Sequence, residues 1–281
     1  MSRPRVFVLT LLAMLAFAGN SLLCRAAFHA TRIDAASFTS IRVVAGAIAL
    51  WLIVRVRSGK GQTGGSWASA LALFAYAATF SFAYVSLTAA TGALLLFGAV
   101  QATMIGVGLW RGERLRRWQL LGLACAIGGL VGLLLPGLSA PPPHGAALML
   151  AAGVAWGVYS LRGRGSGDPL RVTAGNFLRA VPFAAALSLS MLSSTSFDAA
   201  GAALAVASGA ITSGIGYAIW YTALPGLKAA SAATVQLSVP LIAALGGIVL
   251  LGEPLTLRLL MASVAILGGI AMVIVEKRAP A

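Results

Sequence analysis

Apolar residues in this chain come in long unbroken runs, not in strand-like alternation or in narrow helical stripes. A bilayer core of roughly 30 Å needs about 20 such residues per helix. Runs of that size cover approximately residues 6–24, 37–56, 67–88, 91–110, 117–136, 145–161, 171–191, 200–222, 229–251 and 257–275. Between them stand stretches of turn and loop chemistry, among them RSGKGQTGGS (57–66), PGLSAPPPHG (136–145) and RGRGSGDP (162–169). The pattern predicts an all-α integral membrane protein with ten transmembrane helices. The first run follows MSRPR and carries Ala16-Phe17-Ala18, as a cleaved leader would. The repeat described below needs it as a helix, so it is read as the first span.

Composition agrees: 59% of the 281 residues are hydrophobic and 9% charged, where a soluble domain carries about a quarter charged residues. A net charge of +14 would point to nucleic acid in a soluble chain. With both termini placed inside, fifteen of the basic residues fall on inner segments. They are Arg3, Arg5, Arg55, Arg57, Lys60, Arg111, Arg114, Arg116, Arg117, Arg162, Arg164, Arg171, Lys228, Lys277 and Arg278. Three, Arg25, Arg32 and Arg258, fall outside, and Arg42 and Arg179 lie within spans. That asymmetry is the positive-inside pattern. It accounts for the basicity, predicts cytoplasmic termini in an inner membrane, and leaves no role for nucleic acid. Cys24 and Cys125 lie singly in apolar runs and read as small hydrophobes.

The two halves echo each other. At an offset of 140, Ala90, Ala93, Gly106, Gly112, Glu113, Leu115, Leu120, Gly128 and Gly129 meet identical residues between Ala230 and Gly269. At an offset of 137, Arg42 meets Arg179, Tyr84 meets Tyr221 and Leu87 meets Leu224. Five spans per half is an odd number, so the second half would enter the membrane from the opposite side. This predicts two inverted five-helix repeats, residues 1–138 and 139–281. It also explains why Gly112-Glu113 sits among arginines and Gly252-Glu253 almost without them. Inverted repeats are common in secondary transporters, with the substrate between the halves.

Ala155-Trp156-Gly157, YVSL (84–87), YTAL (221–224), Gly112-Glu113, GEPL (252–255), the paired arginines and the two Gly-Gly steps carry a family likeness. In these the chain resembles the drug/metabolite transporter superfamily, in its ten-helix branch with two EamA-type repeats. Within that resemblance, the aromatic amino-acid exporters of the YddG type are the nearest well-known model. One departure is Ala18-Gly19-Asn20, where the family's first helix often has Trp-Gly. The resemblance implies export or exchange of small metabolites, amino acids among them, by alternating access around a central cavity.

The residues themselves nominate the lining of such a cavity. Tyr76, Phe80 and Tyr84 share one helix face at i, i+4 and i+8. Tyr217 and Tyr221, with Trp220 beside them, hold the matching places in the eighth run, and Trp156 and Tyr159 add aromatic surface on the sixth. Tyr84 and Tyr221 lie near helix ends, where an interfacial aromatic belt is the alternative. Asn20, Gln101 and Gln236 are deep amides that need a partner or a watered cavity. Arg42 and Arg179 either meet an anionic substrate group or snorkel along apolar surface. The candidate substrate-binding residues are therefore Asn20, Arg42, Tyr76, Phe80, Gln101, Trp156, Tyr159, Arg179, Tyr217 and Gln236. Gly92, Gly98, Gly106, Gly108, Gly246, Gly247 and Pro240 mark the fourth and ninth spans as closely packed and bendable.

All six carboxylates and both histidines sit in loops or near helix ends. Proton relays usually place such groups in the membrane, so facilitated transport or exchange is favoured over carboxylate-based proton coupling. An intramembrane enzyme would need buried acids, a triad or metal ligands. A channel would need a charged ring or carbonyl filter. The expected partners are a small-molecule substrate and the lipid bilayer, with no cofactor or metal, in a monomer or homodimer. An intramembrane enzyme, or translocation of lipid or another solute on the same scaffold, is the alternative reading.

Overall fold

The computed structural model of the chain describes residues 2–58, 64–112, 114–137, 139–163, 167–227 and 229–276. Their regular structure is all helix, with no strand among them, and includes ten helices long and apolar enough to cross a membrane. Seven spans are single helices: α1 (Arg3–Ala30), α2 (Ala35–Ser58), α3 (Trp67–Tyr84), α4 (Ala89–Trp110), α5 (Arg117–Leu134), α6 (Pro143–Arg162) and α7 (Pro169–Ser190). The eighth joins α8 (Ala199–Ala207), a π-helical stretch Ser208–Ile215, α9 (Gly216–Ala223) and a 3₁₀ turn Leu224–Gly226. The ninth is α10 (Ala229–Gln236) followed by α11 (Ser238–Leu251), and the tenth is α12 (Leu257–Glu276).

Each start has a local cause. Ser66, Thr88, Asp168 and Asp198 stand at N-caps, accepting the backbone N–H of Ser69, Thr91, Leu170 and Gly201. Such caps supply acceptors that the first turn of a helix lacks. α1, α6 and α7 carry proline in the first turn, where its missing N–H costs nothing. The repeated Gly-Glu step also has a backbone reason. Gly112 and Gly252 follow α4 and α11 with φ of +91° and +63°, a conformation that glycine adopts without strain. Gly252 closes its helix by donating to Gly247 O. Glu113 lies outside the described residues.

Three boundaries differ from the run-length expectation. α1 continues six residues past position 24, so Arg25 is a helical residue and not a loop residue. The third span ends at Tyr84, not near residue 88. The ninth span is broken: Leu237 N–H turns back to Thr234 O at 3.1 Å, and a new helix starts at Ser238. Pro240 explains the break, because it has no N–H for the Gln236 carbonyl and its ring would clash with it. The π stretch in the eighth span was not foreseen either. Gly209 and Gly214 let it press against α2; a Cβ on Gly209 would strike the Arg42 carbonyl oxygen.

Hydrogen bonds between connections sort the two ends of the bundle. At one end Arg57 reaches Thr222, Arg162 reaches Ser69, and Arg179 reaches Gly64 O. At the other, the Asp34 carboxylate accepts Ser196 N–H while Asp34 N–H donates to Ser196 O, and Arg258 donates to Leu135 O. The first end is the arginine-rich one. α5 and α12 pack face to face at Gly122 and Gly269, whose missing side chains let the backbones meet. Gly106, expected to be closely packed, faces open space. Inside the ring, α3 packs on α6 and α7, α4 on α6 and α11, and α1 on α9 and α11.

Candidate functional site

Between these inner helices lies a cavity of about 440 Å³. Its aromatic wall begins on α3. Tyr76 and Phe80 lie 5.4 Å apart between ring centroids, and Phe80 meets Tyr84 edge-on at 4.8 Å. Trp156 of α6 continues the wall: its ring is 4.8 Å from Tyr76, 5.2 Å from Tyr159 and 5.5 Å from Tyr217, the last two stacked at 30° and 17°. Phe17 of α1 closes against Tyr217 and Trp220. Aromatic pairs of this kind hold one another in place and present flat faces to whatever fills the space.

Polar groups gather at two places on this wall. At mid-bundle, Asn20 donates from Nδ2 to the Tyr76 hydroxyl (3.2 Å). Its Oδ1 accepts from Ser208 (2.6 Å) and Thr212 (3.3 Å) of the π stretch. The deep amide thus has the partners that a low-dielectric site demands. Nearer the arginine-rich end, Tyr159 donates to Thr173, Thr173 to Tyr221, and Asn176 Nδ2 to Tyr159. Asn176 also accepts Ser66 N–H, tying α7 to the start of α3. Gln101 and Gln236 complete the polar lining, the latter beside the break in the ninth span.

Eight of the ten candidate residues therefore share this one cavity: Asn20, Tyr76, Phe80, Gln101, Trp156, Tyr159, Tyr217 and Gln236. Arg42 and Arg179 do not line it. Arg42 lies fully buried behind Tyr76 and Phe80, whose rings its guanidinium covers at 5.3 and 4.8 Å. Arg179 bends toward the arginine-rich end and donates to Gly64 O and Gly175 O. Tyr84 and Tyr221 are not belt residues: Tyr84 is wholly buried and Tyr221 lines the cavity. Thr173, Asn176 and Phe17 were missed. The signal for the first two was available, as polar residues at i and i+3 on one face of an apolar run.

The cavity reaches Ser160, Gly163 and Pro169 at the arginine-rich end. At the opposite end stands an ion pair. Arg25 Nε lies 2.8 Å from Glu253 Oε1, and the Glu253 Oε2 accepts Ala89 N–H at the start of α4. Arg25 also donates to Tyr84 O. Glu253 is thus turned inward, its side chain 8% exposed, and joins the α11–α12 turn to α1 and α4. No group of three His, Cys, Asp or Glu suited to a metal occurs among the described residues, and both cysteines are free. A separate groove of about 550 Å³ runs along α2 and α8. Apart from Ser40 its lining is aliphatic, which suits lipid chains better than a polar solute.

Residues 143–275 match the EamA-like transporter family. An uncharacterised protein of Pseudomonas aeruginosa is 58% identical over 274 residues, covering 97% of this chain and 96% of that protein. A crystal structure of a protein superposes with a TM-score of 0.67 at 20% identity, covering 95% of this chain and 98% of the other, which is a likeness of fold. Ten membrane-length helices thus surround an aromatic cavity, and the second half of the chain, residues 143–275, is similar to the EamA-like transporter family.

Proposed function

We propose that the protein is a secondary transporter that exports or exchanges small apolar and aromatic amino acids across the inner membrane, as YddG-type exporters do. The observation that carries this reading is the cavity itself: aromatic faces on α3, α6 and α9 with amides and hydroxyls grouped at particular points. Such a site holds an apolar side chain and orients a small polar head. A sugar phosphate would instead call for clustered cationic side chains, and neither Arg42 nor Arg179 lines the cavity. In this reading Asn20, Tyr76, Phe80, Gln101, Trp156, Tyr159, Tyr217 and Gln236 touch the solute. Arg179 holds the connection before α3.

The halves 1–138 and 139–281 act as inverted repeats that rock about the cavity, with both termini cytoplasmic. In this reading the solute path leads to the arginine-rich end, taken as the cytoplasmic side, and the Arg25–Glu253 pair closes the other. Counterflow in proteoliposomes across a panel of amino acids, with and without a pH gradient, tests the proposal. Phenylalanine, tryptophan and leucine should exchange whether or not the gradient is present. Transport confined to charged or sugar-like solutes would overturn the substrate assignment, and strict dependence on the gradient would overturn the uncoupled mechanism.

A further inference from the structure

Arg42 has more hydrogen-bonding capacity than its surroundings use. No other charged residue among those described is buried as deeply, at 2% exposure. Its Nη2 donates to the Tyr76 hydroxyl at 3.1 Å, while Nη1 is buried without a partner. Among the described residues no carboxylate faces it. Glu253 is held by Arg25 and Ala89, and Asp34, Asp168 and Asp198 serve helix starts. A guanidinium does not escape burial by losing its proton, and the Tyr76 and Phe80 rings answer its charge only in part.

Tyr76 shows the same surplus on the cavity side. Its oxygen accepts from Arg42 Nη2 and from Asn20 Nδ2. The hydroxyl proton is therefore left over, and no described acceptor receives it. Asn20 presents its Nδ2 to the tyrosine and its Oδ1 to Ser208 at 2.6 Å, so its amide oxygen does not receive this proton. A cavity-lining tyrosine with a spare O–H, backed by a buried guanidinium whose Nη1 has no partner, is half of an anion site.

We propose that Tyr76 and Arg42 form a carboxylate subsite, and that the transported molecule brings the carboxylate. The carboxylate accepts the Tyr76 O–H from the cavity side and balances the charge of Arg42 behind it. Asn20 keeps the tyrosine oxygen aimed. The inference rests on the reading of this cavity as the solute chamber and narrows it to monocarboxylates, amino acids included. Tyr76 touches the solute, and Arg42 acts through it.

Binding to the purified full-length protein, followed by tryptophan fluorescence, tests this with three probes that share a phenyl ring. They are phenylalanine, 3-phenylpropionate (carboxylate only) and 2-phenylethylamine (amine only). Phenylalanine and 3-phenylpropionate should bind at least tenfold more tightly than 2-phenylethylamine. In R42Q and in the gentler Y76F that ratio should fall toward one, and R42K should recover part of it. A purely structural role for either residue would weaken all three probes alike. Equal binding of the carboxylate and the amine, binding of none of the three, or an unchanged ratio in Y76F would overturn the subsite. A full response to sodium chloride alone, with none added by 3-phenylpropionate, would overturn it in favour of an inorganic anion. Counterflow of phenylalanine that survives intact in R42Q leaves the transport reading standing without the subsite. Tight 3-phenylpropionate binding with no amino-acid counterflow leaves the subsite without the transport reading.

Discussion

Trp156 stands against three tyrosine rings, so its removal tests packing and solute contact together. Each aromatic pair contributes about 0.5–1.5 kcal/mol, and Trp156→Ala should lower the thermal midpoint by a few degrees. If the indole also touches the solute, phenylalanine counterflow falls at least tenfold, while Trp156→Phe recovers much of both. Lost stability with full transport would identify Trp156 as packing alone. Asp34 offers a titratable contrast at the opposite end from the arginines. Burial pushes its pKa up, but hydrogen bonds from Ser37, Ser196 and Ala36 outweigh this and leave it below the ordinary aspartate value. A depressed pKa stabilises the fold above the unfolded value and loses that contribution as pH falls through the folded one. The wild type should therefore lose stability below about pH 4 more steeply than Asp34→Asn, as thermal midpoints across an acid series would show. Equal slopes would mean that the link to Ser196 contributes nothing measurable. At this scale the sequence was legible where a residue type has few options. Asn20, Gln101 and Gln236 had to face protein or water, and all three line the cavity, as does the overlooked Asn176. Tyr84 stayed open between cavity face and aromatic belt because its place near a helix end resembles an interface position. What turns it inward is Gly92, whose absent side chain leaves room for the tyrosine ring.

Helices interrupted inside the membrane distinguish the eighth and ninth spans from the rest. Run length announced both as continuous, because a hydropathy count sees neither hydrogen-bond period nor a one-residue break. Pro240 was a visible sign of bending, and the structure puts the interruption three residues ahead of it, at Leu237 beside Gln236. Pro240→Ala removes the cause and permits α10 and α11 to fuse. Proline in a helix interior costs about 3 kcal/mol relative to alanine. Part of this is already relieved by the break, so the variant should be at least as stable as the wild type. If Gln236 must move during turnover, the same variant slows counterflow several-fold. Unchanged counterflow would show that the break is a packing accommodation and not a moving joint.

For the molecule as a whole, the change of sequence offset from 137 to 140 now has a place. It falls between Leu87 and Ala90 in the first half and between Leu224 and Ala230 in the second. There the second connection carries the turn Leu224–Gly226. Orientation is tested by single cysteines in a cysteine-free background. Ser139→Cys, at an exposed position, should react with an impermeant thiol reagent from outside the cell, and Ser58→Cys only from the cytoplasm. Labelling of position 139 from the cytoplasm would invert the assignment. The π stretch Ser208–Ile215 has a consequence for how the chain tolerates a change of length. Its wider turns absorb an extra residue, so the faces before and after it both stay in register: Ser208 on Asn20, Tyr217 on Trp156. Deleting Ile211, which points outward at 56% exposure, should tighten the stretch to an ordinary helix and spare the fold. The same deletion at Phe74 in α3 would swing Tyr76 and Phe80 about 100° around their axis and abolish folding. Shortened chains of the first kind should express and bind solute. Their transport rate then measures how much the cycle depends on the slack that this one surplus residue provides.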